Sequence, residues 1–104
     1  MKKILPILLL ILATNVAMAQ DNEALKKHYL KIYDQGLAYN DVSASINALH
    51  GYLAIDNSLN YKDTLSMLYF SVKNYYSALL LGEEVYKAQP ENVSAMARSA
   101  ECYD

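Results

Sequence analysis

Apolar and polar residues alternate along this chain with the period of an amphipathic helix. Between Asp21 and Ala38 apolar side chains recur every three or four residues, with lysines and an aspartate between them; the apolar set is Leu25, Tyr29, Ile32, Tyr33 and Leu37. This spacing predicts a helix with one apolar face. No alternating run of β-branched residues competes with it anywhere in the sequence. We therefore expect an all-α fold.

A polar break at Asn40 and Asp41 ends this first helix and starts a second. The Asp41 side chain is suited to cap the second helix, a contact worth about 0.5–2 kcal/mol. The apolar positions after it again recur at helical spacing. They predict a buried stripe composed of Ile46, Leu49, Tyr52, Leu53 and Ile55.

Three more helices are expected in the second half of the chain. After a polar break, the third should be capped by Asp63 or Thr64 and run to about Val72. The fourth is expected over residues 74–89. The fifth begins after residue 92, and the sequence ends within it.

The last third of the chain also carries a recurring pattern of small and aromatic residues. A small residue is followed three positions later by an aromatic one, then nine positions further on by another small one, and twelve positions beyond that by proline. Small residues let two antiparallel helices approach closely, and proline ends the second helix because it has no N–H group. The marked positions are Leu65, Ser66, Tyr69, Ala78 and Pro90, and the pattern restarts at Ala100 and Tyr103, which correspond to Ser66 and Tyr69.

The segment from about Leu59 to Asn92 thus resembles a tetratricopeptide repeat, whose period of about 34 residues and whose alanine and proline positions it shares. The resemblance extends to Tyr103 and is weak over residues 21–57. It implies helical hairpins stacked as a short α-solenoid. It also implies a protein-binding role.

The register of an earlier, degenerate repeat is open between two alignments. The alignment with the wider spacing between repeats places Asp41 against Asn74, but it puts Tyr33 where a small residue belongs. The alignment with the narrower spacing places Gly36, Tyr39, Ala48 and Tyr52 on the small and aromatic marks. We prefer the wider spacing, because a helix start constrains the backbone while packing positions can drift.

The N-terminus has the features of a secretory signal peptide. Two lysines precede an apolar run from Ile4 to Ala13, and the small residues Ala17 and Ala19 flank Met18. The run is shorter than the roughly 20 residues that span a bilayer, so we favour cleavage after Ala19 over an uncleaved anchor extending to Val16. We expect export to the periplasm, the outer-membrane face or the exterior.

These observations predict four segments. They are a signal peptide over residues 1–19, a degenerate helical hairpin and possible first repeat over 20–58, a tetratricopeptide-like repeat over 59–92, and the first helix of an incomplete repeat over 93–104.

Composition narrows the classes of function. Residues 20–104 carry seven basic side chains against eleven acidic ones, a net charge of −4, which disfavours binding to nucleic acid or anionic membranes. Cys102 is the only cysteine, so no disulfide can form within the chain, and we expect it to behave as a small core residue. After signal cleavage no stable membrane span is expected.

No apparatus for catalysis or metal binding is visible in the sequence. His28 and His50 each lack a second ligand at helical spacing, and no serine lies in a glycine-rich elbow. The three glycines are scattered, which leaves no phosphate-binding loop. We expect no enzyme activity, no metal site and no cofactor.

A ligand groove follows from the resemblance alone. In tetratricopeptide repeats the first helix of each pair lines a concave groove, and its exposed positions usually contact the ligand. Apolar Met67 and Phe70 between polar neighbours suit an extended or helical peptide, although a pair three apart is also typical of plain packing. We expect no carboxylate clamp, because the groove offers an asparagine but no matching cation. The groove positions are Asn60, Asp63, Met67, Phe70, Ser71, Ser94, Ala97 and Glu101, followed by Asp104.

The fifth helix has no partner helix within the sequence. Its expected buried stripe contains Val93, Met96, Ala97 and Ala100. The helix could cap the preceding pair, continue into further repeats, or pair with a second copy of the chain. The functional expectation is an exported scaffold that binds a peptide or a partner's helix. The alternative is a structural N-terminal spacer of a larger protein, without a ligand of its own.

Overall fold

The computed structural model describes residues 5–103, with side chains from residue 21 onward. Within that range the chain forms helices and turns and no strand, which confirms the all-α prediction. Over residues 21–103, where side chains are described, no helix is both long and apolar enough to cross a membrane. The helices are α1 Leu5–Ala38, α2 Val42–Ile55, α3 Leu59–Ser71, α4 Tyr75–Ala88 and α5 Val93–Cys102.

The signal-peptide prediction concerns residues 1–19, whose side chains lie outside the described part of the chain. It therefore stays a prediction.

The helices pack as two hairpins followed by a single helix. α1 lies against α2, α3 lies against α4, and α5 rests on α4 with a smaller contact to α3. The hairpins join through Ile46 and Leu49 of α2 and Leu65 of α3, each of which is less than a tenth exposed. Burying a side chain of this size stabilises the fold by about 1.5–3 kcal/mol. Around them pack Tyr33, Val42, Leu53, Tyr61, Leu68, Tyr69 and Leu81.

Both hairpins turn through the same short connection. In each hairpin, the second residue after the end of the first helix adopts a left-handed backbone conformation. Its φ is 57° at Asn40, after α1, and 65° at Lys73, after α3. The next residue donates its backbone N–H to a carbonyl five positions earlier, which ends the helix in a Schellman-type turn. These bonds join Asp41 N to Gly36 O at 2.7 Å and Asn74 N to Tyr69 O at 2.9 Å.

The residue that closes each turn also caps the next helix. Oδ1 of Asp41 accepts from the N–H of Ala44 at 3.2 Å, and Oδ1 of Asn74 accepts from the N–H of Ser77 at 3.3 Å. The predicted cap at Asp41 and the predicted start at Asn74 are therefore confirmed. Helices α2 and α4 have equal lengths and begin directly after these two caps. The backbone therefore follows the alignment with the wider repeat spacing, which places Asp41 against Asn74.

The same alignment relates one buried hydrogen bond in each hairpin. The Ser45 hydroxyl on α2 donates to the carbonyl of Tyr33 on α1 at 2.8 Å, and the Ser66 hydroxyl on α3 donates to the carbonyl of Ala78 on α4 at 2.7 Å. Positions 33 and 66 correspond, as do 45 and 78. The small polar residue thus lies on opposite helices in the two hairpins, and the half-buried Tyr33 packs against the core cluster.

Gly36 lies at the contact between α1 and α2. A Cβ at position 36 would collide with the Ser45 hydroxyl and lie only 2.8 Å from the carbonyl oxygen of Asp41. The close approach of α1 to α2 therefore requires glycine here.

The predicted cap of the third helix is wrong. α3 begins earlier, at Leu59, where the Ser58 hydroxyl accepts from the N–H of Tyr61 at 3.4 Å. Asp63 and Thr64 lie inside the helix, and the Thr64 hydroxyl donates back to the carbonyl of Asn60 at 3.0 Å. Ser58 has extended backbone angles and can end the preceding segment, whereas Asp63 is held by an ion pair.

The predicted apolar stripe of the fifth helix is also wrong. Val93, Met96, Ala97 and Ala100 are exposed, whereas Ala95 and Arg98 are buried. The helix is turned so that its small and polar side chains face α3 and α4. Arg98 pairs with an acidic side chain there, which hydropathy alone does not indicate.

The predicted apolar face of α1 is only partly buried. Leu25 and Leu37 on that face are about two-fifths exposed.

Candidate functional site

A pocket of about 350 Å³ opens between α3 and α5. This volume lies at the lower end of the range for ligand sites in proteins. Helix α3 contributes two apolar side chains, and α5 contributes one face of about two turns. The lining residues are Met67, Phe70, Ser94, Ala97, Arg98 and Glu101, and we call this surface the α3–α5 groove.

Close packing of α5 on its neighbours creates the groove. A Cβ added at Gly82 of α4 would lie 2.8 Å from the Ser99 hydroxyl and 3.4 Å from the Ser66 hydroxyl. Ala95 is fully buried in the same contact. Because these small residues draw α5 close to α3 and α4, the face that carries Ala97 comes to lie beside Met67.

The α3 wall of the groove is apolar. Met67 is 51% exposed, and Phe70 is half-buried. The Phe70 ring meets the ring of Tyr75 edge to face, with a centroid distance of 5.4 Å. This arrangement is favourable for two aromatic rings and holds Phe70 in place beside the opening.

Arg98 lies at the bottom of the groove, and its positive charge is neutralised by an ion pair. Its side chain is only 8% exposed, and Nη1 lies 2.8 Å from Oδ1 of Asp63. Nη1 also donates to the Ser66 hydroxyl at 3.0 Å, and Nη2 donates to the Ser94 hydroxyl at 3.4 Å. These contacts tie α5 to α3 and place the guanidinium opposite a carboxylate of equal and opposite charge.

Glu101 supplies the remaining charge of the lining. Its side chain is exposed, and no salt bridge within residues 21–103 involves it. Because Asp63 balances Arg98, the open groove has a net negative character.

Five of the eight predicted groove residues line this pocket: Met67, Phe70, Ser94, Ala97 and Glu101. Asp63 lies beside it, and its carboxylate binds Arg98. Asn60 and Ser71 are exposed on α3 outside the lining, and the Ser71 hydroxyl donates to the carbonyl of Leu68 at 2.6 Å. Asp104, the last expected groove position, lies outside the described residues.

The expectation that the groove contains no cation is wrong, because Arg98 is part of its lining. The spacing of polar residues in α5 partly indicates that Arg98 lies on the groove face. Ser94, Arg98 and Glu101 follow one another at intervals of four and three, which places them on one face of a helix. Nothing local indicates that Arg98 is buried, because its partner Asp63 lies 35 residues earlier.

Other chemically relevant side chains lie apart from the groove. A smaller pocket of about 190 Å³ at the turn from α1 to α2 is lined by residues that include Ile32, Gly36 and Tyr39. His50 forms a 2.6 Å hydrogen bond with the hydroxyl of Tyr69 across the junction of the hairpins. Burial raises the pKa of the half-buried Cys102 thiol. No group of three potential metal-ligating side chains forms in the part of the chain described here.

Comparison of the chain with protein-family models, curated proteins and solved structures gave no significant match. Function therefore has to be inferred from the geometry and chemistry of the chain itself.

Proposed function

We propose that this chain is an exported interaction module whose α3–α5 groove binds a peptide segment or a helix of a partner protein. One observation carries the proposal. Five positions selected from the tetratricopeptide resemblance, on helices separated in sequence by α4, line a single pocket. The regular spacing of the two hairpins adds support, since stacked repeats recur at a fixed period.

Binding in this groove would be noncovalent. An apolar side chain of the partner would pack on Met67, Phe70 and Ala97, and burial of such a side chain contributes about 1.5–3 kcal/mol. The Ser94 hydroxyl and the Glu101 carboxylate offer polar contacts at the edge. Most of the affinity would come from the apolar contacts, because buried contacts at an interface centre outweigh those at its rim.

The outer face of α5 favours self-association as a second proposal. Val93 and Tyr103 are about two-thirds or more exposed, and Met96 is 44% exposed. A second copy of the chain could cover these side chains. The structural spacer remains the alternative to both proposals, and it requires no ligand for the groove.

A matched pair of substitutions on α5 tests the groove. Ala97→Gln places a longer side chain in the pocket, while Ala100→Gln makes the same chemical change at an exposed position outside the lining. Both keep a good helix former on an exposed helix surface, so helical circular dichroism and melting temperature should match wild type. We expect affinity capture from an extract of the native cell envelope to recover a partner with wild type and Ala100→Gln but not with Ala97→Gln.

The captured partner should then be identified by mass spectrometry, purified and titrated against all three proteins. A Kd that Ala97→Gln leaves unchanged would contradict groove binding. Equal loss with both variants would instead assign the contact to α5 as a whole, in agreement with pairing through its outer face.

A further inference from the structure

We propose that the groove selects a peptide in which an apolar side chain is flanked by lysine or arginine, with the cation pairing with Glu101. This inference rests on the proposed function, because it specifies the ligand of the same groove. It follows from which charges of the lining are already paired and which remain available.

The guanidinium of Arg98 is already occupied. It is 8% exposed, and it binds the Asp63 carboxylate and the hydroxyls of Ser66 and Ser94. A ligand carboxylate would have to displace Asp63, which would leave that half-buried carboxylate without its partner. The same ligand would also meet the negative charge of Glu101. The lining therefore disfavours anionic peptides.

Glu101 is placed to bind a cation. It lies one helical turn beyond Ala97 and three positions beyond Arg98, on the same face of α5 and at the exposed edge of the pocket. A lysine or arginine of the ligand could lay its methylene stem along Met67 and Ala97 while its charged end reaches Glu101. The apolar wall and the carboxylate thus suit two parts of one ligand segment.

The overall charge of the chain favours the same occupant. The full sequence carries a net charge of −2, and the segment after residue 19 carries −4, because two of the lysines lie before it. An acidic protein attracts cationic peptides over long range and repels a second copy of itself. A basic peptide therefore fits this groove better than another copy of the chain does.

The test begins with a random peptide library displayed on phage. Peptides are selected on immobilised wild-type protein and counter-selected on Ala97→Gln, and the survivors are synthesised and titrated by fluorescence anisotropy. We expect the survivors to combine an aromatic or aliphatic residue with a nearby lysine or arginine. We also expect their affinity to fall as salt is raised, since contacts to rim charges are screened.

Substitution of the carboxylate provides the decisive comparison. Glu101→Gln should weaken binding by about two- to fivefold, the range for an exposed ion pair, and Glu101→Lys should weaken it further. Glu91→Gln and Glu91→Lys change the net charge equally at an exposed position in the turn before α5, outside the lining, and should have little effect.

The outcomes separate the two proposals. Survivors without basic residues, or equal effects at positions 91 and 101, would overturn the charge selectivity while groove binding stands. If no peptide distinguishes wild type from Ala97→Gln, groove binding fails and the inference fails with it.

Discussion

Among the individual side chains, Arg98 links α5 to α3. Its guanidinium joins Asp63 and Ser66 of α3 to Ser94 of its own helix. An ionised group that is almost fully buried is stable only when it is paired and hydrogen-bonded, so the position of α5 depends on this set of contacts. The same side chain lines the bottom of the α3–α5 groove.

Removing the charge should therefore destabilise the protein. Arg98→Met keeps much of the apolar stem but leaves the Asp63 carboxylate without its cation, and we expect the free energy of unfolding to fall by about 1–3 kcal/mol. Urea denaturation followed by circular dichroism measures the change. The double variant Asp63→Asn/Arg98→Met should recover part of the loss, because no charge is left unpaired. A single variant as stable as wild type would show that the ion pair contributes no net stability.

Among the helices and turns, the two hairpin connections share a backbone conformation but carry different residues at the left-handed position. Both require a left-handed residue, and the first uses asparagine at position 40, which tolerates this conformation. The second uses Lys73, and at its φ of 65° the Cβ atom lies too close to the following carbonyl oxygen. The turn from α3 to α4 is therefore less favourable than its counterpart, although its hydrogen bonds are the same.

Replacing Lys73 with the residue found at the equivalent position should relieve this strain. We expect Lys73→Asn to raise the free energy of unfolding by about 0.5 kcal/mol. Lys87→Asn removes the same charge from the last turn of α4, where it should lower stability by a similar amount because asparagine is a poorer helix former. Thermal melts of the three proteins measure both changes. If the two variants shift in the same direction, the left-handed conformation is not the cause.

For the molecule as a whole, tyrosine burial links stability to alkaline pH. Burial raises the pKa of Tyr33 and of Tyr52, and a hydrogen bond to Glu83 raises the pKa of Tyr103. Each of these phenols loses its proton more readily in the unfolded chain than in the folded one. Their contribution to stability is therefore complete below the unfolded pKa of about 10 and is lost as pH rises through the folded values.

The melting temperature should accordingly fall as pH rises between about 9 and 11. Tyr52→Phe keeps the ring but removes one of the ionisable groups, so its melting temperature should fall less steeply over the same range. Differential scanning calorimetry of both proteins across this range measures the two slopes. Parallel slopes would show that Tyr52 does not contribute to the alkaline loss.

The helices were more predictable from the sequence than the contacts between them. The caps at Asp41 and Asn74 were predictable because each bonds to a backbone N–H three positions away. The start of α3 is harder to predict, because Ser58 and Asp63 are both acceptable caps; Ser58 caps the helix, and Asp63 pairs with the distant Arg98. In the groove, the helical period placed Met67 with Phe70 and Ala97 with Glu101, but it could not indicate which face of α5 packs inward.

The amino-acid sequence alone specifies the all-α class and the positions where most helices begin. Those properties depend on interactions within about five residues along the chain, so the local sequence contains the information for them. Helix packing, in contrast, decides that Arg98 is buried, that Asp63 is its partner, and that the exposed Glu101 lines the groove. These outcomes depend on distances between side chains that are remote in sequence, and the packing of α5 on α3 and α4 sets those distances.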